Sequence, residues 1–206
     1  MHEDWTRHWE ALYRKQEPRT FSWLEDVPGH SLELIHATGV PRDAPILDVG
    51  GGASRLVDHL LDEGYHDLSV LDVVPDALKQ SRSRLGKRAD RVDWIVADIT
   101  RFEPRRRYAL WHDRAVFHFL VKPEDARQYV RVLVAALAQG GHVILATFGP
   151  EGPARCSGLP VHRYSATDLT AALGPGFQLR HSELVDHRTP ADRSQQFLFG
   201  WWQAVG

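Results

Sequence analysis

The stretch that decides the fold is "ILDVGGGASRLVDHLLDEGY", residues 46–65, in which an acid closes an apolar run and three consecutive glycines follow. The apolar run is typical of a buried strand, and the segment after the glycines has the periodicity of a helix that ends at Gly64. A glycine-rich turn between strand and helix lets a ligand approach the backbone, with the helix N-terminus facing it. The acid, Asp48, is the unusual feature, because a carboxylate would repel the phosphate that many such turns bind.

The glycines depart from the dinucleotide-binding fingerprint. Gly50, Gly51 and Gly52 precede Ala53 and Ser54, and position 55, where G-x-G-x-x-G requires a glycine, is arginine. Arg55 and Asp48 together disfavour a nicotinamide-dependent oxidoreductase. A ligand with a cationic group and no phosphate fits the acid better, and S-adenosylmethionine, which carries an ammonium and a sulfonium, is such a ligand.

Composition limits the classes of protein that need to be considered. The 206 residues suffice for one well-buried domain, and the net charge of -2 gives no general attraction to nucleic acid or anionic membrane. The run Arg101, Arg105, Arg106 and Arg107 has no interleaved aromatic residues and is interpreted as a solvated turn. The single cysteine, Cys156, fits a reducing compartment. We expect a cytoplasmic protein, monomeric or homodimeric, without a nucleic-acid or membrane partner.

The histidines do not predict a metal site. The sequence contains 12 of them, but none is paired at a ligand spacing beside a carboxylate, and there is no second cysteine. We therefore expect no metal.

Strands and helices alternate from residue 45 onward, which favours a parallel sheet covered by helices on both faces. Two of the predicted helices open with proline, at Pro75 and Pro123, where a missing N–H does no harm. The second of these is predicted to extend over 123–141 and to end at glycine. The predicted strands are PILDV (45–49), LSVLDV (68–73), VDWIVAD (92–98), YALWHD (108–113) and HVILATF (142–148).

The C-terminal part of the chain has a different pattern. Two strand-like runs, residues 177–187 and 195–204, are separated only by RTPADRS, which is too short for a crossover helix and suits a hairpin. The predicted fold class is therefore α/β, a doubly wound and mostly parallel seven-stranded sheet with a C-terminal antiparallel hairpin and helices on both faces.

The N-terminal part is separate from this alternation. Trp5, Trp9, Leu12 and Tyr13 lie on one face of a predicted amphipathic helix, and a short helix over 31–37 follows with Ser31 as its cap. We expect one domain, 1–206, in which residues 1–40 form a helical lid, 45–150 the cofactor-binding core, and 151–206 the acceptor loop and terminal strands. Trp23, in the loop between the two helices, is a candidate lid residue.

Two further acids lie at the ends of predicted strands, and each could accept hydrogen bonds from a different group of the ligand. Asp72 ends the second strand, where a carboxylate can accept hydrogen bonds from both ribose hydroxyls of an adenosine. Asp98 ends the third strand, where it can accept from the adenine amino group. The carboxyl ends of parallel strands meet at one edge of a sheet, so these acids are predicted to share a site with Asp48.

Five segments in order resemble the class I S-adenosylmethionine-dependent methyltransferases: "ILDVGGGAS", "VLDVVPDAL", "VADIT", "LWHDRAVFHFL" and "LAQGGHVILATF". Ser54 stands where that family usually has glycine. The opening "HWEALYRKQEPRTFSWL" is similar to the subgroup that includes protein-lysine methyltransferases. The resemblance implies S-adenosyl-L-methionine as cofactor, with contacts from Asp48, Gly50, Gly51, Gly52, Ser54, Asp72, Val73, Asp98, Ile99, Asp113 and Trp23.

The resemblance implies methyl transfer to an acceptor. Because the sulfonium already activates the methyl group, the protein mainly has to align the acceptor and exclude water. His118 and Asp113 are the candidate catalytic residues, as proton acceptors or as contacts to the acceptor. A buried structural imidazole is the other interpretation of His118, and Cys156 is either inert or itself methylated. The acceptor is a small molecule or a protein; a protein-lysine N-methyltransferase and a non-catalytic cofactor-binding partner protein are the alternatives.

Overall fold

The fold is seen in a computed structural model, which describes residues 3–15, 23–189 and 194–205. The helices are α1 (Glu3–Lys15), α2 (Gly29–Thr38), α3 (Leu56–Asp62), α4 (Pro75–Leu85), α5 (Pro123–Ala136) and α6 (Ala166–Leu173). The strands are β1 (Ile46–Val49), β2 (Leu68–Asp72), β3 (Val92–Val96), β4 (Tyr108–Arg114), β5 (Leu137–Phe148), β6 (Arg155–Cys156), β7 (Leu159–Pro160), β8 (Phe177–Arg188) and β9 (Ser194–Ala204).

Seven of these strands form one sheet, in the order β3-β2-β1-β4-β5-β9-β8. The pairs among β1 to β5 are parallel, whereas β9 runs antiparallel to both β5 and β8. The strand order reverses between β1 and β4, and in open α/β sheets ligands bind beyond the carboxyl ends of the strands at such a point. The predicted fold class, including the terminal antiparallel hairpin, is confirmed.

The two faces of the sheet carry separate apolar layers. Alternate residues of a strand point to opposite faces, so Leu110 packs with the layer that includes α2 and α3, while Trp111 packs with the layer that includes α5 and α6. All four residues of β1 are buried, as expected for a central strand covered on both sides.

Two boundaries differ from the sequence prediction. The helix predicted over 123–141 ends at Ala136, because Leu137 already pairs with Tyr108 in the sheet and is buried there. Ser31 is not the cap of α2: the helix begins at Gly29 after Pro28, and the Ser31 side chain is buried and bonded to β4. In both places a tertiary contact, and not the local sequence preference, determines where the helix begins or ends.

The proline- and glycine-rich segment after β5 contains a small hairpin that the sequence pattern did not predict. Strands β6 and β7 pair antiparallel through a two-residue turn, with positive φ at Ser157 (50°) and Gly158 (81°). Positive φ at both central residues is the geometry of the tight hairpin turn. The hairpin presents Cys156, a buried free thiol, to the carboxyl edge of the sheet.

Candidate functional site

Two adjoining cavities lie at the carboxyl ends of β1, β2 and β4. The main cavity encloses about 840 Å³ and the glycine-loop cavity beside it about 490 Å³, in both cases including space that is open to solvent. Both are lined by Tyr13, Trp23, Val49, Gly50 and Arg114, so they form one continuous site.

The glycine loop is shaped for close approach. Gly50 has φ of +69°, and a Cβ there would overlap a methyl group of Val116. Gly52 has φ of +21°, and its Cβ would lie 2.5 Å from Oδ2 of Asp72. Helix α4 fixes the loop from behind, because Ser81 Oγ donates to the Gly52 carbonyl at 2.6 Å. Larger side chains at Gly50 or Gly52 would therefore displace the walls of the site.

Asp72 lies in the main cavity at the end of β2, next to Val73, which also lines it. One carboxylate oxygen, Oδ1, accepts from the Val74 N–H at 2.8 Å. Burial raises the pKa of Asp72 to about 7, and the negative charge of Asp48 adds to the shift. A buried carboxylate with this pKa gains from hydroxyl donors, which is the role predicted for it toward a ribose.

Asp48 belongs to a buried chain of three side chains that joins three elements. Its Oδ1 lies 2.7 Å from Nδ1 of His112 on β4, and Nε2 of that ring lies 2.9 Å from Ser31 Oγ on α2. A carboxylate only accepts, so the imidazole proton is on Nδ1 and Nε2 can accept from Ser31. Oδ2 of Asp48 is buried and has no partner in the part of the chain that the structure describes. Ser31, Asp48 and His112 all line the glycine-loop cavity.

His112 and Ser31 were missed as site residues. His112 stands in a segment singled out for its resemblance, but its partners come from β1 and α2, and nothing in the linear sequence indicates those contacts. Gly51 and Ser54, which were predicted, line the same cavity.

The third predicted acid, Asp98, is placed differently from its neighbours. Ala97 and Ile99 line the main cavity, as expected for walls around an adenine, whereas Asp98 is not among its lining residues. Oδ1 of Asp98 accepts from both the backbone N–H and the hydroxyl of Thr100, at 2.9 and 2.8 Å, and so caps a short 3-10 helix. Of the two predicted cofactor contacts in this segment, Asp98 and Ile99, Ile99 is the one that lines the main cavity.

Asp113 does not reach either cavity. Its carboxylate accepts from the Val116 N–H at 2.8 Å, from the Phe117 N–H at 3.1 Å and from the Tyr129 hydroxyl at 2.6 Å. Burial raises its pKa to about 6, against the opposing effect of these donors. These bonds fix the turn after β4 and favour a structural role for Asp113 over the predicted contact to cofactor or acceptor.

His118 is also absent from the cavity walls. Its ring is fully buried against Phe119 and Phe148, and Nδ1 accepts from the Phe148 N–H at 3.2 Å. The imidazole proton is therefore on Nε2, so neither nitrogen is available to take a proton from an acceptor. Burial and the charge of Arg114 lower the pKa of His118 to about 3. This geometry favours the interpretation of a buried structural imidazole over that of a general base.

The N-terminal helix covers the main cavity with aromatic side chains. Trp9 and Tyr13 on α1 line it together with Trp23, and the Trp9 ring meets those of Trp23 and Phe119 edge-on at 5.8 and 5.1 Å. Burial, and secondarily the charge of Asp72, raise the pKa of Tyr13 far above its ordinary value, so its hydroxyl stays protonated. The predicted position of Trp23 at the cofactor site agrees with this arrangement.

Arg114, which the sequence prediction did not include, lies between the two cavities. Its Nη1 donates to the Trp23 carbonyl at 2.6 Å and its Nη2 to Oε1 of Glu25 at 2.9 Å, while Nε is buried and has no partner within residues 3–15, 23–189 and 194–205. Burial lowers its pKa, and Glu25 opposes that shift. The side chain thus ties the segment after α1 to the end of β4.

These residues fit S-adenosylmethionine on structural grounds. Asp72 and the walls at Ala97 and Ile99 suit the ribose and the adenine, and the unpartnered Oδ2 of Asp48 suits an ammonium. Within the part of the chain that the structure describes, no group of three or more metal-ligating side chains is found, and no helix is long and apolar enough to span a membrane.

Comparison with known proteins agrees with this geometry. Residues 46–141 match the family model described as "Methyltransferase domain". Nodulation protein S of Rhizobium tropici is 32% identical over 127 residues, which are 62% of this chain and 51% of that protein. The bovine (Bos taurus) eEF1A lysine and N-terminal methyltransferase is 28% identical over 141 residues, 66% of this chain and 19% of that protein. The chain thus spans about half the length of the first relative and about a fifth of the second.

Among solved structures, the N-methyltransferase NodS from Bradyrhizobium japonicum WM9 in complex with S-adenosyl-L-homocysteine superposes with a TM-score of 0.72. The match covers 96% of this chain and 98% of that chain, at 18% sequence identity, so it supports the fold. The domain match over the glycine loop and its acids supports the resemblance to the class I S-adenosylmethionine-dependent methyltransferases, and the superposition supports their fold.

Proposed function

We propose that the protein transfers a methyl group from S-adenosylmethionine to a small acceptor held in the main cavity. The observation that carries the proposal is the shared site of Asp72 and the glycine loop, both at the edge where the strand order reverses. S-Adenosylmethionine would supply the activated methyl group there. The residues that we propose to hold it are Asp48, Gly50, Gly51, Gly52, Ser54, Asp72, Val73, Ile99 and Trp23.

The chain's own contribution is enclosure and alignment. Residues 1–40 act as the lid, in which Trp9, Tyr13 and Trp23 cover the cavity and exclude water. Asp72 orients the ribose, and the Asp48–His112 pair orients the ammonium. No nucleophile of the protein takes part, which agrees with the protonated state of Cys156, whose pKa burial raises to about 11.

A small molecule is favoured over a protein lysine as acceptor. Among the described residues lining the main cavity, Asp72 is the only carboxylate, and it belongs to the ribose position. A lysine ammonium would find no acid of its own there. The bovine relative is named as a lysine methyltransferase, so lysine remains the second candidate acceptor. The single cysteine of the chain cannot form an internal disulfide, which fits a reducing compartment, and we propose that the protein acts in the cytoplasm.

Binding and turnover test this proposal separately. Thermal shift and calorimetry should show stabilisation by S-adenosylmethionine and S-adenosyl-L-homocysteine and none by NAD. A donor labelled in its methyl group should then transfer the label to an acceptor. Binding without transfer to any metabolite, peptide or lysate fraction would instead support the non-catalytic partner protein, and binding of NAD alone would contradict the proposal.

A further inference from the structure

The main cavity has two ends with different chemistry. The adenosine end is bounded by Asp72, Val73, Ala97 and Ile99. The opposite end, called the acceptor end, is bounded by Trp9, Arg114, Phe119, Cys156, Gln195 and Phe197. The chemistry of the second set determines which nucleophile can be held there.

The acceptor end has no described group that could take a proton from an amine. His118 lies behind the wall with Nδ1 occupied, and Cys156 keeps its own proton, because burial raises its pKa to about 11. Glu25, the carboxylate nearest Arg114, is engaged by that arginine and by His187, whose Nδ1 lies 3.2 Å away. Burial works against the charge of Glu25, but these two partners outweigh it and lower its pKa, so it is a weak base.

Arg114 is the only cation among the described residues of the acceptor end, and it has an unused donor. Two of its nitrogens are bonded to Trp23 and Glu25, and the third, Nε, is buried with no partner among the described residues. Leaving a buried charged N–H unsatisfied is costly, so an anionic atom of a ligand would be stabilised there. A single N–H suits one anionic atom. A carboxylate is bound best by two parallel N–H groups, and the two Nη groups of Arg114 are already bonded to Trp23 and Glu25.

The remaining walls favour a soft, polarisable atom over oxygen or nitrogen. The rings of Trp9, Phe119 and Phe197 surround the acceptor end, and the Arg114 guanidinium lies 5.2 Å from the centre of the Phe197 ring. Sulfur makes favourable contacts with aromatic rings and needs few hydrogen bonds. An alkoxide or amine would lose hydrogen bonds to water on binding, and these apolar walls offer few hydrogen bonds to replace them.

We propose that the methyl acceptor is a small apolar thiol, bound as its thiolate against Arg114. This inference rests on the proposed methyl transfer. The thiol gives its proton to solvent on binding; the thiolate lone pair then forms the new S–C bond as the methyl–sulfonium bond breaks. The electrons of that bond remain on the donor sulfur, so the products are a methyl thioether and neutral S-adenosyl-L-homocysteine.

The test compares molecules that differ in the nucleophilic group alone. Benzyl mercaptan, benzyl alcohol, benzylamine and phenylacetate are each incubated with the protein and a donor labelled in its methyl group, after calorimetry has shown that the preparation binds S-adenosyl-L-homocysteine. We expect label in the mercaptan product and at least ~100-fold less in the other three. Preferential methylation of the amine, alcohol or carboxylate, or no transfer to the mercaptan, overturns the thiol inference. Failure to bind S-adenosyl-L-homocysteine would instead contradict the proposed function.

The role of Arg114 is tested without turnover. Thiolate absorbance of benzyl mercaptan is followed against pH in the complex with S-adenosyl-L-homocysteine. The charge of Arg114 should lower the pKa of the bound thiol by ~1 unit or more, and Arg114→Gln should abolish that shift. Arg114→Lys should restore part of it. The other charged or titratable groups facing this guanidinium are Glu25, His187, His118, Cys156 and Asp48.

Glu25→Gln is the matched control, because it removes the negative charge paired with Arg114 but keeps the cation and its bond to the Trp23 carbonyl. It should lower the pKa of the bound thiol further. If Arg114→Gln and Glu25→Gln raise that pKa equally, or if Arg114→Gln leaves it unchanged, Arg114 does not stabilise a thiolate and the inference fails.

Discussion

The two ends of the main cavity are built in different ways. The adenosine end comes from residues at the ends of the neighbouring parallel strands β2 and β3, so its chemistry lies in the short stretches 68–73 and 97–99. The acceptor end is assembled from α1, β4, the β6–β7 hairpin and β9. These elements lie far apart in the sequence, from near its start to near its end. A cofactor site can thus be read from local motifs, whereas an acceptor site depends on tertiary structure.

The largest effect is expected in the glycine loop, where Gly50 lines both cavities. Gly50→Val would place a side chain at positive φ and against Val116, so cofactor affinity should fall by ~100-fold or more. Gly39→Val is the matched control: Gly39 has φ of +71° but nothing within 4 Å of its Cβ. It should lower the melting temperature and leave affinity intact. Equal affinity losses in the two variants, measured by calorimetry, would show a general effect of strain.

Asp72 should show the next largest effect, with a pH signature. Asp72→Asn should weaken binding of S-adenosyl-L-homocysteine by ~2–3 kcal/mol, because ribose hydroxyls donate better to a carboxylate. The pKa of Asp72 is raised to about 7, so lowering the pH through 7 protonates it and should reduce the affinity of the parent by up to ~10-fold per pH unit. The Asn variant should lack this dependence.

Asp76→Asn controls for the change of charge, since Asp76 lies in the first turn of α4 and is exposed. It should retain both the affinity and the pH dependence of the parent. A pH profile that persists in Asp72→Asn would assign the titration to another group.

A smaller effect is expected from the chain Ser31–His112–Asp48. His112→Gln should weaken S-adenosyl-L-homocysteine binding by ~1–2 kcal/mol, because Asp48 loses the donor that fixes it. The decisive comparison uses an S-adenosyl-L-homocysteine analogue without the amino group, whose affinity should change little in the same variant. Equal losses for both ligands would mean that His112 supports the fold alone.

The smallest kinetic effect is expected at His118, which is not among the residues lining either end of the main cavity. His118→Gln should cost ~1–2 kcal/mol of stability through loss of the acceptor for the Phe148 N–H, with nearly unchanged turnover. His118→Asn, whose Oδ1 can replace Nδ1, should recover part of that stability. A fall in turnover of two or more orders of magnitude in a folded variant would restore His118 as a base.

The sequence predicted the sheet, its terminal hairpin and the placement of Asp48, Asp72 and the glycines, because these follow from strand ends and turn chemistry. Asp113, which was also predicted as a site residue, does not line the described cavities, for a reason visible in strand periodicity. Asp113 shares the face of Trp111, toward α5, whereas His112 and Arg114 point to the cavities. The partners of Arg114 come from elements distant in the chain, so local patterns could not indicate them.

The central claim is that the edge where β1 meets β2 and β4 holds S-adenosylmethionine. A crystal structure of the protein grown with S-adenosyl-L-homocysteine tests it most directly. The account predicts the ribose hydroxyls on Asp72, the adenine between Ala97 and Ile99, and the ammonium within hydrogen-bond distance of Oδ2 of Asp48. Density for the ligand elsewhere, or a ribose that makes no contact with Asp72, would contradict it.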